Sequence, residues 1–252
     1  MSDKNFVHLH FHTSFSLLDG ACKLDDSIRQ ALDHKQTALA ITDHGVLYGI
    51  ADFYQKAKQQ GVKPIIGCEA YVAFGDMHER KRRDDRKIAH HLVLLAENIV
   101  GYYNLIHLIS KAHLEGMYYK PRIDKELLAA HSEGLIGLSA CLQGEVSEWL
   151  VKGNMDKAVH AAGDLSDIFG KGNFFLEMED HGIDKQLIVN RGMPEVAKRT
   201  GLPLVATNDV HYLKKAHSEA HDVMLCLQTQ SLFNDKRRMR YTGSEFYMKS
   251  SE

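Results

Sequence analysis

Hydrophobic and polar positions along this chain follow two alternating periods. Compact apolar runs, rich in β-branched residues, occur at 6–12 (FVHLHFH), 37–43 (TALAITD), 63–73 (KPIIGCEAYVA), 90–96 (HHLVLLA), 134–140 (GLIGLSA), 173–179 (NFFLEME) and 203–209 (PLVATND). Each predicts a buried strand. Between them the period lengthens to that of an amphipathic helix, over 25–34, 49–60, 101–116, 145–153, 155–170 and 189–200. Near-continuous apolar strands alternating with helices argue for a parallel sheet covered by helices. Seven such units between residues 6 and 209 predict a closed or nearly closed α/β barrel, with a doubly wound open sheet as the runner-up. No Pro- or Ser-rich linker, low-complexity tract or strong repeat divides the chain, so residues 1–252 read as one domain. The stretch DMHERKRRDDRK, 76–87, is the one highly charged loop.

Polar residues in such a fold are informative by place. In parallel α/β proteins functional groups collect at the C-terminal ends of strands and in the loops that follow. The first segment offers His10 and His12, with Asp19 just beyond, and the second offers Asp43 and His44. Glu69 lies within the third, His91 at the start rather than the end of the fourth, and Cys141 after the fifth. The sixth ends less clearly in Glu177, Glu179 and His181, and the seventh in Asp209 and His211. Side chains two apart on a strand point the same way, so His10 with His12, and Asp209 with His211, can each grip one ion. Leu9 and Phe11 are then expected to pack under the outer helices. His, Asp, Glu and Cys are the ligands that suit Zn²⁺, Mn²⁺ or Fe²⁺. The candidates outnumber the four ligands of a tetrahedral site and fit a multinuclear centre with bridging carboxylates. A lone strand histidine is more often a hydrogen-bonded core residue, and His8 is read that way or as a partner of its neighbours. A lone Cys is usually a small buried hydrophobe, and a lone Glu half of a salt bridge. Convergence of ligand types on six of the seven segments weighs against those readings here.

Composition adds limits. A chain of 252 residues, 44% hydrophobic, can bury one large core. A net charge of −2 does not announce nucleic-acid binding, whereas sixteen histidines is a high count for an ordinary domain. No apolar run is long enough to span a membrane, and MSDKNFVHLHF lacks the apolar region of a signal peptide. Four cysteines without a CxxC pair suit a reducing cytoplasm.

The blocks HLHFHTSFSLLDG, ALAITDHG, GCEAYVA, HHLVLLA, LSACLQGE and VATNDVHY, in that order, resemble the PHP (polymerase and histidinol phosphatase) domain. The resemblance is to the form found at the N-terminus of bacterial replicative DNA polymerase III alpha subunits of the DnaE type, and YYKPRID (118–124) and YTGSEFYMKS (241–250) look like that subfamily too. The likeness covers essentially the whole chain. It implies a distorted seven-stranded α/β barrel holding three divalent ions, Zn²⁺, Mn²⁺ or Fe²⁺. By that likeness the first ion takes His10, His12, Glu69 and Asp209. The second takes Glu69, bridging, with His91 and Cys141, and the third takes Asp19, His44 and His211. Every one of these positions carries a competent ligand, although some polymerase-associated relatives have lost several.

The resemblance further implies metal-assisted phosphodiester hydrolysis, as 3′→5′ exonuclease proofreading at the primer end of DNA, with catalytic roles for Asp19, His44 and His211. A metal-bound water loses its proton near pH 7 in favourable sites. Two other classes stand beside it. One is a small-molecule phosphatase of the histidinol-phosphate type. The other is a catalytically silent, metal-stabilised module that braces the polymerase or docks a separate proofreading exonuclease subunit. Palm, thumb, fingers and clamp-binding regions are absent from this sequence, which reads as an excised domain whose partner is the remainder of the alpha subunit; no membrane partner is expected. Arg122 is a candidate phosphate clamp or a structural salt-bridge partner. His181 is a candidate for orienting substrate or shuttling a proton. Arg237 and Arg238, within KRRMR (236–240), could track a DNA backbone or face the polymerase domains, and the 76–87 loop reads as a solvated charged loop before a DNA track.

Overall fold

The computed structural model describes residues 6–83 and 87–251. In chain order the elements are α1 (Leu24–Asp33), β1 (Ala38–Ile41), α2 (Ile50–Gln59), β2 (Lys63–Ala73), β3 (Ala89–Ala96) and α3 (Ile99–Leu114). Then come a small hairpin of β4 (Met117–Tyr118) and β5 (Lys120–Ile123), α4 (Lys125–Ala130), β6 (Leu135–Leu138), α5 (Glu145–Val151) and α6 (Met155–Phe169). The chain finishes with β7 (Phe174–Met178), α7 (Asp184–Thr200), β8 (Leu204–Ala206) and α8 (Ser218–Thr229). Several helices start at side-chain caps. Asn98 accepts from Val100 N and Gly101 N, Asp124 from Leu127 N, and Asn154 from Lys157 N. Such caps contribute about 1 kcal/mol each. Helix α7 stops at Gly201, whose φ of 73° closes the last turn in the left-handed region.

The sheet runs β4-β5-β2-β3-β6-β7-β8, with β1 paired to β2. It is mixed rather than all parallel, because β3 runs antiparallel to both β2 and β6. The described residues between β2 and β3, 74–83 and 87–88, contain no helix, and a parallel crossover needs a dozen or more residues that carry the chain back. The loop therefore joins antiparallel neighbours. The remaining ring pairs, β1–β2, β6–β7 and β7–β8, are parallel.

The ring closes through residues 8–12. Ala40 N donates to His8 O at 3.0 Å and Thr42 N to Phe11 O at 2.9 Å on one side. On the other, His12 N donates to Val210 O at 2.8 Å and Val210 N to His10 O at 3.1 Å. Seven segments thus form the distorted barrel that the resemblance implies. HLHFH is not the regular strand expected, since the chain bends at Leu9–His10 and only Phe11 bridges Val210. The bend also breaks the expected alternation. Phe11 packs outward with Cys22, Ile28 and Phe53, whereas Leu9 packs on the cluster of Ala40, Val93, Leu95, Leu138 and Ala140. His91, Val93 and Leu95 share one face of β3, so the imidazole sits at the end of that apolar filling. The main core lies outside the ring, where Leu94, Leu105, Leu108, Phe174 and Met193 pack sheet against helix.

Candidate metal centre

The ligand-type residues gather at one end of the barrel, where the parallel strands end and β3 begins. The antiparallel course of β3 explains His91, whose place at the strand's start is the same end of the barrel as its neighbours' finish. Local backbone aims the others. Asp209 and Ala140, the residue before Cys141, have φ of 40° and 62°. Non-glycine residues in this left-handed region cost on the order of 1–3 kcal/mol, a strain often stored at functional sites. The loop carrying Asp19 turns at Gly20, where a Cβ would meet Thr13 O at 2.0 Å. Asp43 holds that loop from below, accepting from Thr13 N, Thr13 Oγ1 and Ser16 Oγ at 2.7, 2.8 and 2.7 Å. It is structural rather than a member of the cluster.

Three histidines are held in one tautomer. His10 Nδ1–H donates to Glu177 Oε1 at 2.8 Å, His12 Nδ1–H to Ser16 Oγ at 3.0 Å, and His211 Nδ1–H to Asp209 O at 2.8 Å. Each therefore turns an Nε2 lone pair inward. His10 Nε2 lies 3.3 Å from Glu69 Oε1 and 3.2 Å from Asp209 Oδ1. His12 Nε2 lies 3.5 Å from Glu69 Oε2 and 3.1 Å from Asp209 Oδ1. Tetrahedral ligands 2.0–2.1 Å from zinc are about 3.3 Å apart, so this set matches the edges of such a site. His10 Nε2, His12 Nε2 and Asp209 Oδ1 are buried without a hydrogen-bond partner, an arrangement that costs free energy unless a cation fills it.

Glu69 faces a second set, with Oε1 2.8 Å from His91 Nδ1 and 3.8 Å from Cys141 Sγ. On a third side, Glu69 Oε2 lies 2.6 Å from His44 Nδ1, while His44 Nε2 lies 3.1 Å from Asp19 Oδ2 and His211 Nε2 3.8 Å from Asp19 Oδ1. The imidazoles of His44 and His211 both stack on His12, at 4.1 and 4.4 Å, and lie 6.0 Å from each other. All nine expected ligands are thus brought together. Burial opposes the charged form, and at His12, beside His44 and His211, it prevails and lowers the imidazole to about 3, whereas at His44, His10 and the carboxylates the charged neighbours override it. Carboxylates of Glu69 and Asp19 raise His44 to about 10, and Asp209, Glu177 and Glu69 raise His10 well above its ordinary value. Neighbouring histidines, led by His211 at Asp19, His91 at Glu69 and His10 at Asp209, hold these three carboxyls well below the usual carboxylate range. Carboxylates that draw positive charge this strongly suit divalent cations. The donor set of imidazole, carboxylate and one thiol fits Zn²⁺, Mn²⁺ or Fe²⁺.

A cavity of about 590 Å³ opens over the cluster, with Lys120, Glu179, Arg240 and Tyr241 among its walls. Four residues expected in functional roles stand elsewhere. The Arg122 guanidinium is buried and donates to the carbonyls of Gly116 (3.2 Å), Met77 (2.8 Å) and Glu79 (2.9 Å), so it ties backbone together rather than clamping phosphate. His181 donates from Nε2 to Asn208 O at 2.9 Å and accepts at Nδ1 from Gln186 Nε2 at 2.7 Å. With both nitrogens engaged and its ring stacked 3.8 Å from Phe246, it braces the wall and shuttles nothing. Arg238 is buried in an ion pair with Asp222 and also donates to Phe233 O at 3.0 Å, which withdraws it from any DNA backbone. Arg237 is exposed and does not line the cavity. Of the charged loop, residues 84–86 lie outside the described residues.

Other residues matter more than the sequence pattern indicated. Glu177 supports His10, and is itself fixed by Ser139 Oγ on its backbone N and by the Thr207 hydroxyl on its carboxylate. Glu179 lines the cavity, pushed up to about 8 by burial and by Asp209 and Glu177. The Tyr241 hydroxyl donates to His211 Nε2 at 3.1 Å.

Comparison with known proteins gives concordant findings. The PHP domain family model matches residues 8–181. The DNA polymerase III subunit alpha of Treponema pallidum is 46% identical over 252 residues, which are 100% of this chain and 22% of that protein. The subunit of Thermus aquaticus is 45% identical over 254 residues, 100% of this chain and 21% of its own length. The chain therefore spans about a fifth of these relatives. An amidohydrolase structure from Chromobacterium violaceum shares the fold, with a TM-score of 0.50 at 16% identity over 81% of this chain and 87% of that one.

Proposed function

The chain belongs to the PHP domain family, and from that membership we propose that it is a metal-dependent phosphoesterase acting on DNA, a 3′→5′ exonuclease within a replicative polymerase alpha subunit. The observation that carries the reading is the convergence of buried, unpartnered His10 Nε2, His12 Nε2 and Asp209 Oδ1 beneath an open cavity. Three divalent ions would be held by His10, His12, Glu69 and Asp209, by Glu69, His91 and Cys141, and by Asp19, His44 and His211. When bound, such ions supply Lewis-acid charge for a phosphoryl group and lower the pKa of water. The chain's own residues do the rest. Glu177, Ser16 and the Asp209 carbonyl fix three imidazoles so that no reorganisation is needed. Lys120 and Arg240, on the cavity wall, attract the phosphodiester. Tyr241 keeps its proton, because burial and the neighbouring carboxylates raise it well above the usual phenol value, and so offers a hydrogen bond at the cavity floor.

The test is digestion of a 5′-labelled primer, matched or mismatched at its 3′ end, with Zn²⁺ or Mn²⁺ added and metal content recorded. Stepwise shortening by the wild type, lost by more than 100-fold in His10→Ala and Asp209→Ala, is the expected result. A fully metal-loaded wild type that leaves both primers intact rules out the exonuclease.

A further inference from the structure

The β4–β5 hairpin reverses in a single residue, Tyr119, because Tyr118 pairs with Lys120 and Met117 with Pro121. Its backbone pays for this with a φ of 60°, a region that non-glycine side chains rarely adopt. The strained residue buries little in return, as 65% of Tyr119 faces solvent. Folding alone therefore gives no reason for a tyrosine here. Yet its ring is held in place. The Arg82 guanidinium lies 3.9 Å from the ring centroid, and the Tyr118 ring meets it edge-on at 4.7 Å. The ring is thus backed by a cation while most of the residue stays exposed to solvent. The hairpin is anchored by Arg122, whose guanidinium lies over Tyr118 at 5.0 Å and binds the three carbonyls described above.

Lys120 connects this tip to the metal centre. It lines the cavity, and its Nζ lies 5.4 Å above the ring of Tyr71. Tyr71 in turn packs against His91 at 5.1 Å and His44 at 6.1 Å. A cation on the cavity wall thus adjoins, one residue away, an exposed and oriented aromatic ring. That pairing is how proteins hold unpaired nucleotides, with phosphate on a basic side chain and base on an aromatic ring. A base inside a duplex has both faces covered by its neighbours and cannot stack there.

We propose that Tyr119, with Lys120, forms a stacking platform for an unpaired nucleotide of single-stranded nucleic acid whose end enters the cavity. The proposal rests on the phosphodiesterase reading above and deepens it, assigning the site a preference for unpaired over paired ends.

The test measures equilibrium binding of a labelled oligothymidylate and of a blunt duplex hairpin to the full chain, as wild type, Tyr119→Ala and Tyr119→Phe, with folding checked by thermal melting. Loss of one base stack weakens binding by roughly 5- to 150-fold. The expected result is a loss in that range for single strand with Tyr119→Ala, little change for duplex, and recovery in Tyr119→Phe. Unchanged single-strand binding by a folded Tyr119→Ala protein overturns the platform, and leaves the tip as a contact for another protein surface. Equal loss for single strand and duplex overturns it too. Hydrolysis of methyl p-nitrophenyl phosphate by the wild type, run alongside, reports on the phosphoesterase reading separately. Failure there sinks the enzyme and leaves the binding result to decide the platform.

Discussion

His10 is gripped at Nδ1 by Glu177 and offers Nε2 to Glu69 and Asp209. Removing that grip frees the ring to rotate. Glu177→Ala is expected to weaken metal retention 10- to 100-fold, read by competition with a chelator, and Glu177→Gln, which keeps an acceptor, to fall between. His8, two residues earlier, has the opposite character. Burial lowers it from 6.5 to about 4, against a raising hydrogen bond to Lys249 O. The unfolded chain therefore takes up this proton first. Stability that is present above pH 6.5 falls as pH drops toward 4, by on the order of 3 kcal/mol at this one residue. His8→Leu is expected to flatten that acid limb in denaturation experiments run at stepped pH. The clustered residues were legible in the sequence because they are ligand types, most of them at or just beyond a strand end. Arg122 and His181 were not, since nothing local shows that a guanidinium will meet three carbonyls or that both imidazole nitrogens will be engaged. Glu177 and Glu179 read as ambiguous for a similar reason, as alternate acids on a strand end could equally face solvent.

At the level of elements, the helices were the more legible. Apolar periods placed α1, α2, α3, α5 and α6 to within two residues of the expected bounds, while α7 begins at Asp184 in a polar turn that carries no such period. Helix α8 escaped because its buried face is His221, Leu225 and Cys226, where a histidine interrupts the apolar stripe. The direction of β3 could not be read from apolar runs, which look alike in either sense. The charged stretch between β2 and β3, which carries no helical period, was the available signal. That loop is fastened by Glu148 of α5, which accepts from Arg83 at 2.5 Å, Lys87 at 3.0 Å and Lys152 at 2.6 Å while itself nearly buried. Glu148→Leu removes the carboxylate that these cations share, and a destabilisation of about 1–3 kcal/mol is expected. Limited proteolysis should cut the loop faster in that variant, with the barrel surviving.

For the whole molecule, the cluster draws residues from nearly every segment of the barrel, so occupancy and folding are linked. A ligand that binds only the folded chain stabilises it by about 2.7 kcal/mol at a hundred times its Kd. Dialysis against a strong chelator is expected to lower the melting temperature, and Zn²⁺ or Mn²⁺ to restore it; Asp209→Ala should respond to neither treatment as strongly. A melting curve indifferent to chelation in the wild type would count against a structural contribution of the ions. The barrel class and its seven segments were visible in the chain's two alternating periods. Its mixed direction and irregular seam were not, because they depend on pairings between residues far apart in sequence.

That seam has a consequence for how the chain comes into being. HLHFH hydrogen-bonds to Val210, and protein synthesis delivers these partners about 200 residues apart. A nascent chain emerges at some 5–20 residues per second. The first histidines leave the ribosome roughly 10–40 s before the strand that encloses them. During that interval they are bare imidazoles on an unpaired edge, open to stray ions and to neighbouring chains. Closure of the barrel and completion of the ligand set are then a single late event.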